Sequence, residues 1–232
     1  NAVPFANLFN SSGSVHINLS GASTGINLDD LLGIDMLDAI TATTTITGSN
    51  FYDQLASTGG NDSVSFGDGG FEYYSSAGND TINFGSADSD ADPWIDHFRI
   101  GPITMNVNGS TNTASVTGSG SSDTWLNVNN VLGYSLSTAG SDQDDTINVT
   151  IADGQWMSFR PKEGDDTINA TLDGGTLRLE YHRVSGNDAT NGIVANIGAG
   201  TIIDSEGFTD TVNITEINRG RLELRETDNA DE

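Results

Sequence analysis

Apolar residues in this chain fall in short runs that alternate with polar ones, as in Val149-Thr150-Ile151 and Leu177-Arg178-Leu179. A period of two turns one side of an extended segment inward and the other outward, which predicts half-buried β-strands. Gly, Asn and Asp bound the runs, the residue types that turns require. The runs also recur. The pattern Asp-(Thr/Ser)-apolar-(Asn/Ser) begins at Asp62, Asp80, Asp145, Asp166 and Asp210, with weaker copies at Asp35, Asp123 and Asp188. From Asp123 the aspartates stand at 123, 145, 166, 188, 210 and 231, in steps of 21 or 22 residues.

A longer period lies above this one. The segments Val15-His16-Ile17-Asn18-Leu19, Ile103-Thr104-Met105-Asn106-Val107 and Ile193-Val194-Ala195-Asn196-Ile197 start 88 and 90 residues apart, each followed by a Gly-rich turn. Short strands on a fixed period predict an all-β chain: a right-handed parallel β-solenoid with rungs of about 21–22 residues, in a single domain over 1–232. Its superrepeats are expected at 15–102, 103–192 and 193–232, the last unfinished, so that the chain continues or a partner caps that end. About ten rungs at a strand spacing of ~4.8 Å would make a rod ~50 Å long. The Asn after each Thr-Ile or Thr-Val pair is expected to form a ladder of side-chain amides that satisfies buried polar groups.

Charge changes the picture. The 232 residues hold 25 Asp and 8 Glu against 7 Arg and one lysine, Lys162, for a net charge of −25. Asp rather than Glu suits turns, caps and metal loops. So few cations exclude binding to a nucleic-acid backbone or to an anionic membrane surface. No run of 18 apolar residues occurs, so no membrane span is expected. With no cysteine there is no disulfide or thiolate metal site. A charge of −25 repels itself, and bound counter-ions would relieve it.

Gly60-Asn61-Asp62-Ser63-Val64, Gly78-Asn79-Asp80-Thr81-Ile82, Gly164-Asp165-Asp166-Thr167-Ile168 and the shortened Gly186-Asn187-Asp188 sharpen the aspartate signal. They resemble the second half of the nonapeptide G-G-x-G-x-D-x-U-x of the RTX (haemolysin-type calcium-binding) family. The match is partial: Ser57-Thr58 stand where the leading glycine pair belongs, and no two nonapeptides run in tandem. The resemblance implies secretion, folding on extracellular calcium, and Asp62, Asp80 and Asp166 as ligands, with Asp188 as a further copy. Asp145, with Asp144, departs because Gln143 replaces the turn glycine. The residues alone allow two readings. Stacked carboxylates about 5 Å apart need a cation between them, or each Asp merely caps its own turn. Asp88-Ser89-Asp90-Ala91-Asp92 alternates like a calcium loop but lacks its glycine and distal Glu, and reads as a solvated insertion.

A second constellation lies at 156–183. A 22-residue register stacks Trp156–Arg160 over Arg178–His182, with Met157/Leu179 and Phe159/Tyr181 on one face and Trp156/Arg178 and Arg160/His182 on the other. Asp204 would follow beneath His182. Either this is core stacking with an outer cation–π pair, or Trp156, Arg160, Arg178 and His182 form a glycan-binding strip suited to acidic polysaccharide. Lys162 and Arg183 lie nearby, where the few bases cluster.

Enzyme signatures are thin. His16, His97 and His182 belong to no H-E-x-x-H motif, and no G-x-S-x-G, P-loop or dinucleotide fingerprint occurs. Because Asp recurs throughout, paired carboxylates carry little information about glycoside chemistry. The sequence therefore reads as a secreted, calcium-binding module with a structural or adhesive role, partnered by other copies or domains of an extracellular assembly. A polysaccharide-binding or polysaccharide-modifying (lyase- or epimerase-like) domain and a surface-layer or virion-type assembly protein are the alternatives.

Overall fold

The computed structural model describes residues 44–48, 52–67, 70–85, 93–184, 187–188 and 191–231, together with the backbone of 15–18. The segment 88–92 and the copy at Asp35 lie outside the described residues. The chain is mostly β, and its strands fall in two large, mostly parallel sheets of 12 and 7 strands.

Strands alternate between the sheets in chain order. β1 (Val15–Asn18) and β2 (Thr44–Thr47) lie in the long sheet, β3 (Asp53–Ala56) in the short one, β4 (Ser63–Ser65) in the long, β5 (Phe71–Tyr74) in the short, β6 (Thr81–Asn83) in the long and β7 (Trp94–Asp96) in the short. β8 (Thr104–Asn108), β9 (Thr113–Gly118) and β10 (Ser121–Leu126) then form an antiparallel meander within the long sheet. A single turn of helix, α1 (Asn129–Leu132), leads to β11 (Leu136–Ala139) in the short sheet. β12 (Thr146–Ala152), β13 (Trp156–Arg160), β14 (Thr167–Asp173) and β15 (Thr176–Glu180) resume the alternation. β16 (Arg183–Val184) and β17 (Asn187–Asp188) make a small antiparallel pair apart from both sheets. A second meander, β18 (Val194–Asn196), β19 (Thr201–Ile203) and β20 (Thr209–Ile217), returns to the long sheet, and β21 (Arg221–Arg225) ends the short one.

The core lies between the sheets and follows from the alternation. Ile147, Val149 and Ile151 of β12 and Ile168, Ala170 and Leu172 of β14 point inward, opposite Met157, Phe159, Leu177 and Leu179 of the short sheet. Each fully buried aliphatic or aromatic side chain contributes about 1.5–3 kcal/mol. The first meander gives the long sheet strands that the short sheet does not match, and Ile100, Val128, Val131 and Leu132 complete the interior there.

The meanders give the longer period its physical meaning: Ile103 and Ile193 each precede the first strand of one. They also correct the shorter period. Asp145 and Asp166 stack as neighbours, since Thr146 pairs with Thr167. Asp123 does not stack on Asp145: β10 lies on β6, with Thr124 paired to Thr81, while β12 lies on β8. The chain runs out to β8 and doubles back, so a 22-residue step in sequence spans three places in the sheet. Likewise β20 stacks directly on β14, and the copy at Asp188 falls in the small β16–β17 pair.

The asparagine ladder forms, but outside. Asn148 donates to Asn106, Asn169 to Asn148 and Asn213 to Asn169, each at 2.9 Å. These side chains are partly or fully exposed on the outer face of the long sheet, because the inward positions belong to the apolar residues on either side.

Candidate functional site

The aspartates of the repeat point inward: Asp62, Asp80, Asp145 and Asp166 sit just before a long-sheet strand, and Asp123 and Asp210 near the start of theirs. Asp62, Asp80, Asp123, Asp145, Asp166 and Asp210 are all at most 3% exposed. Each uses Oδ1 to take up a backbone amide from the neighbouring level. Thr44 N–H donates to Asp62 (3.0 Å), Asp62 N–H to Asp80 (2.9 Å) and Asp80 N–H to Asp123 (3.0 Å). In the second stack Ile103 N–H donates to Asp145 (2.7 Å), Asp145 N–H to Asp166 (2.7 Å) and Asp166 N–H to Asp210 (3.0 Å). An outer ladder runs beside it: Asn79 N–H donates to Asn61, Asp165 N–H to Asp144 and Thr209 N–H to Asp165.

The second carboxylate oxygen separates these residues into two groups. In Asp62 it meets the Thr58 hydroxyl and amide, and in Asp145 it meets the Ser141 amide. Asp210 Oδ2 accepts from the Tyr181 hydroxyl at 2.7 Å. In Asp80, Asp123 and Asp166 the second oxygen is buried without a hydrogen-bond partner. Burial, and next the charge of Asp123, push the Asp80 carboxyl up to about 8. Burial and then Asp210 push Asp166 up to about 10. The fully buried Tyr73 phenol is raised well above its ordinary value, by burial first and then by Asp80 and Asp123.

These facts bear on calcium, which needs six to eight oxygen ligands. Among the described residues no three His, Cys, Asp or Glu side chains converge on one point. Asp62 and Asp145 would have to surrender several donors to ligate a cation. Asp80 and Asp166 each keep one oxygen available, as does Asp123. Asp80 and Asp123 neighbour each other in the first stack and Asp166 lies in the second, so these free oxygens do not meet at one point.

A groove runs across the outer face of the short sheet. Its outward positions carry Glu72 and Tyr74 on β5, Trp94 and Asp96 on β7, Ser137 on β11, Trp156 and Arg160 on β13, Arg178 and Glu180 on β15, and Arg225 on β21. Arg160 lies over the Trp94 ring at 4.5 Å and Arg178 over Trp156 at 4.9 Å. Glu180 is the hub: Arg160 at 3.3 Å, Arg225 at 3.7 Å and His182 at 3.9 Å surround it. Glu223 holds Arg178 (2.8 Å) and Arg221 (3.0 Å). Burial, then Arg225, lowers the His182 pKa below its ordinary value. Lys162 is buried against Asp96 at 2.6 Å.

Trp156, Arg160, Arg178 and His182 are therefore brought together as the sequence suggested, though not in the suggested register. Ser158, not Trp156, pairs with Arg178, and Phe159 pairs with Leu179 rather than Tyr181. The Trp156–Arg178 contact is diagonal. Asp204 takes another place: its Oδ1 accepts from the amides of Glu206, Gly207 and Phe208, capping its own turn. Sequence reasoning missed Trp94, Glu180 and Arg225. The alternation Trp94-Ile95-Asp96 already turns Trp94 outward, but only the fold brings β7 close to β13. Comparison with protein-family models, curated proteins and solved structures finds no match to this chain.

Proposed function

We propose that this chain is a module of a secreted or cell-surface protein: a right-handed parallel β-solenoid of RTX-like character with a structural or adhesive role in an extracellular assembly. Calcium is taken up along its stacked aspartates, with Asp80, Asp123 and Asp166 as the ligands whose second oxygens have no other partner. That triple orphaning is the observation that carries the reading. A buried carboxylate oxygen without a donor costs about 1–3 kcal/mol, and a hard cation supplies what the protein does not. The remainder of the fold suits a spacer, since parallel strands stack in two sheets, interrupted in the long sheet by two antiparallel meanders.

Thermal melting of the full chain in EDTA and in millimolar Ca²⁺ tests this. Saturation at about 100 times Kd stabilises by about 2.7 kcal/mol, which raises Tm by about 5–10 °C for a chain of this size. Asp80→Asn with Asp166→Asn should remove most of that rise. A Tm indifferent to calcium sinks the reading.

A further inference from the structure

We propose that the groove on the outer face of the short sheet is a binding site for a linear acidic polysaccharide, with its sugar rings against Trp94 and Trp156 and its carboxylates on the arginines. Three independent features point there. First, the groove has a shaped floor. Between Trp94 and Arg178 the aligned outward positions are Ser137 and Ser158, and Ala139 stands beside Arg160, so small side chains leave a trough between large ones. Trp94 aligns with Ser158, so Trp156 stands two strands and two residues away, about 12 Å, slightly more than the span of two linked sugar rings.

Second, polar atoms at this floor are unsatisfied. Ser158 Oγ, Arg160 Nε and His182 Nδ1 are buried and make no hydrogen bond. Buried polar atoms in a folded protein are normally paired, and here two belong to residues that line the groove, Arg160 and His182, and the third, Ser158 Oγ, lies beneath it on β13. A hydroxyl-rich ligand supplies both donors and acceptors. The pyranose ring adds apolar C–H faces that pack on indole, and its carboxylate suits the guanidinium fork.

Third, the charge reverses here. The chain carries −25, yet Arg160, Arg178, Arg183 and Arg225 line this groove against Glu72, Asp96 and Glu180. Four of the eight cations thus gather at one place: Arg160 and Arg225 share Glu180, Arg178 is held by Glu223, and Lys162 and Arg221 pair with Asp96 and Glu223 on the same face, so cations outnumber acids there. The strongly acidic remainder repels a polyanion, so its electrostatic approach is confined to this surface. Trp–Arg stacking also holds the guanidiniums in place before a ligand arrives, which reduces the entropy lost on binding.

Isothermal titration of the full chain, in calcium-containing buffer, with an oligogalacturonate hexamer and with neutral cellohexaose tests the proposal. The acidic oligomer should bind saturably, at least about tenfold more tightly than the neutral one, and more weakly as salt rises. Trp156→Ala with Arg178→Ala should weaken binding by about tenfold or more. Arg225→Glu, at an exposed side chain, gives a second reading should the double variant fold poorly. No binding by the wild type, equal binding of the neutral oligomer, or variants that bind undiminished would each overturn it. The last outcome would place the ligand on calcium bridges elsewhere. Because the melting experiment has its own readout, loss of either proposal leaves the other standing.

Discussion

A carboxylate that has lost its water needs a proton, a donor or a cation, and the inner aspartates differ in which of these they have. Asp62 and Asp145 have donors on both oxygens. Asp80 and Asp166 have one oxygen satisfied and hold their protons to about 8 and about 10. An unfolded aspartate releases its proton near 3.8. Between that pH and the native value the folded state binds more protons than the unfolded one, so stability falls as pH rises. The limit is about 1.4 kcal/mol per pH unit for each such group. In EDTA the chain is therefore expected to be most stable near pH 4–5 and to lose stability steadily toward pH 8. Asp166→Asn should flatten the profile, and calcium should offset the alkaline loss. Urea titrations from pH 4 to 9 with and without calcium measure this; stability that rises toward pH 8 in EDTA contradicts it. The residue types at this site were legible in the sequence, because Asp recurs at the start of β4, β6, β10, β12, β14 and β20. Their inward direction was not, since a turn residue reads as solvent-facing until the stack above it is known.

At the scale of the elements, the turn glycines were also legible, and the structure supplies their reason. Gly164 adopts φ +114°, and a Cβ there would come within 2.6 Å of the Gln143 backbone carbon in the level it stacks on. Gly154 adopts φ +74° with nothing within 4 Å. Gly154→Ala should thus cost only left-handed strain, about 1 kcal/mol. Gly164→Ala adds a backbone clash and should cost about 2 kcal/mol or more. Chemical denaturation of the two variants should rank them in that order; equal losses would mean that the turns do not stack as described. The groove register was harder to foresee for a related reason. β12 and β14 are offset by 21 residues, but the turn after β14, Gly174-Gly175, is one residue shorter than Asp153-Gly154-Gln155 after β12. β13 and β15 are consequently offset by 20, and a uniform 22-residue step misplaces Arg178 by two.

For the whole molecule, one period in the sequence conceals two kinds of step. A strand that continues the stack and a strand that returns from a meander carry the same Asp-Thr-apolar pattern, because both enter the long sheet from the same side and in the same direction. Asp123 of β10 and Asp145, just before β12, are the case in point, their strands separated in the sheet by β9 and β8. The distinction is open to a covalent test in a chain with no cysteine of its own. Thr81 and Thr124 are aligned on adjacent parallel strands, about 4.8 Å apart between Cα atoms, within reach of a disulfide. Thr124 and Thr146 are 22 residues apart in sequence but three strand spacings apart in space, about 14 Å, beyond any disulfide. Under mild oxidation of the folded protein the pair Thr81→Cys/Thr124→Cys should crosslink in high yield and Thr124→Cys/Thr146→Cys should not. The reverse result would replace the meander with an uninterrupted 22-residue coil. It would also separate β7 from β11, which pair in the short sheet at the level of the first meander, and so divide Trp94 from the arginines that the groove depends on.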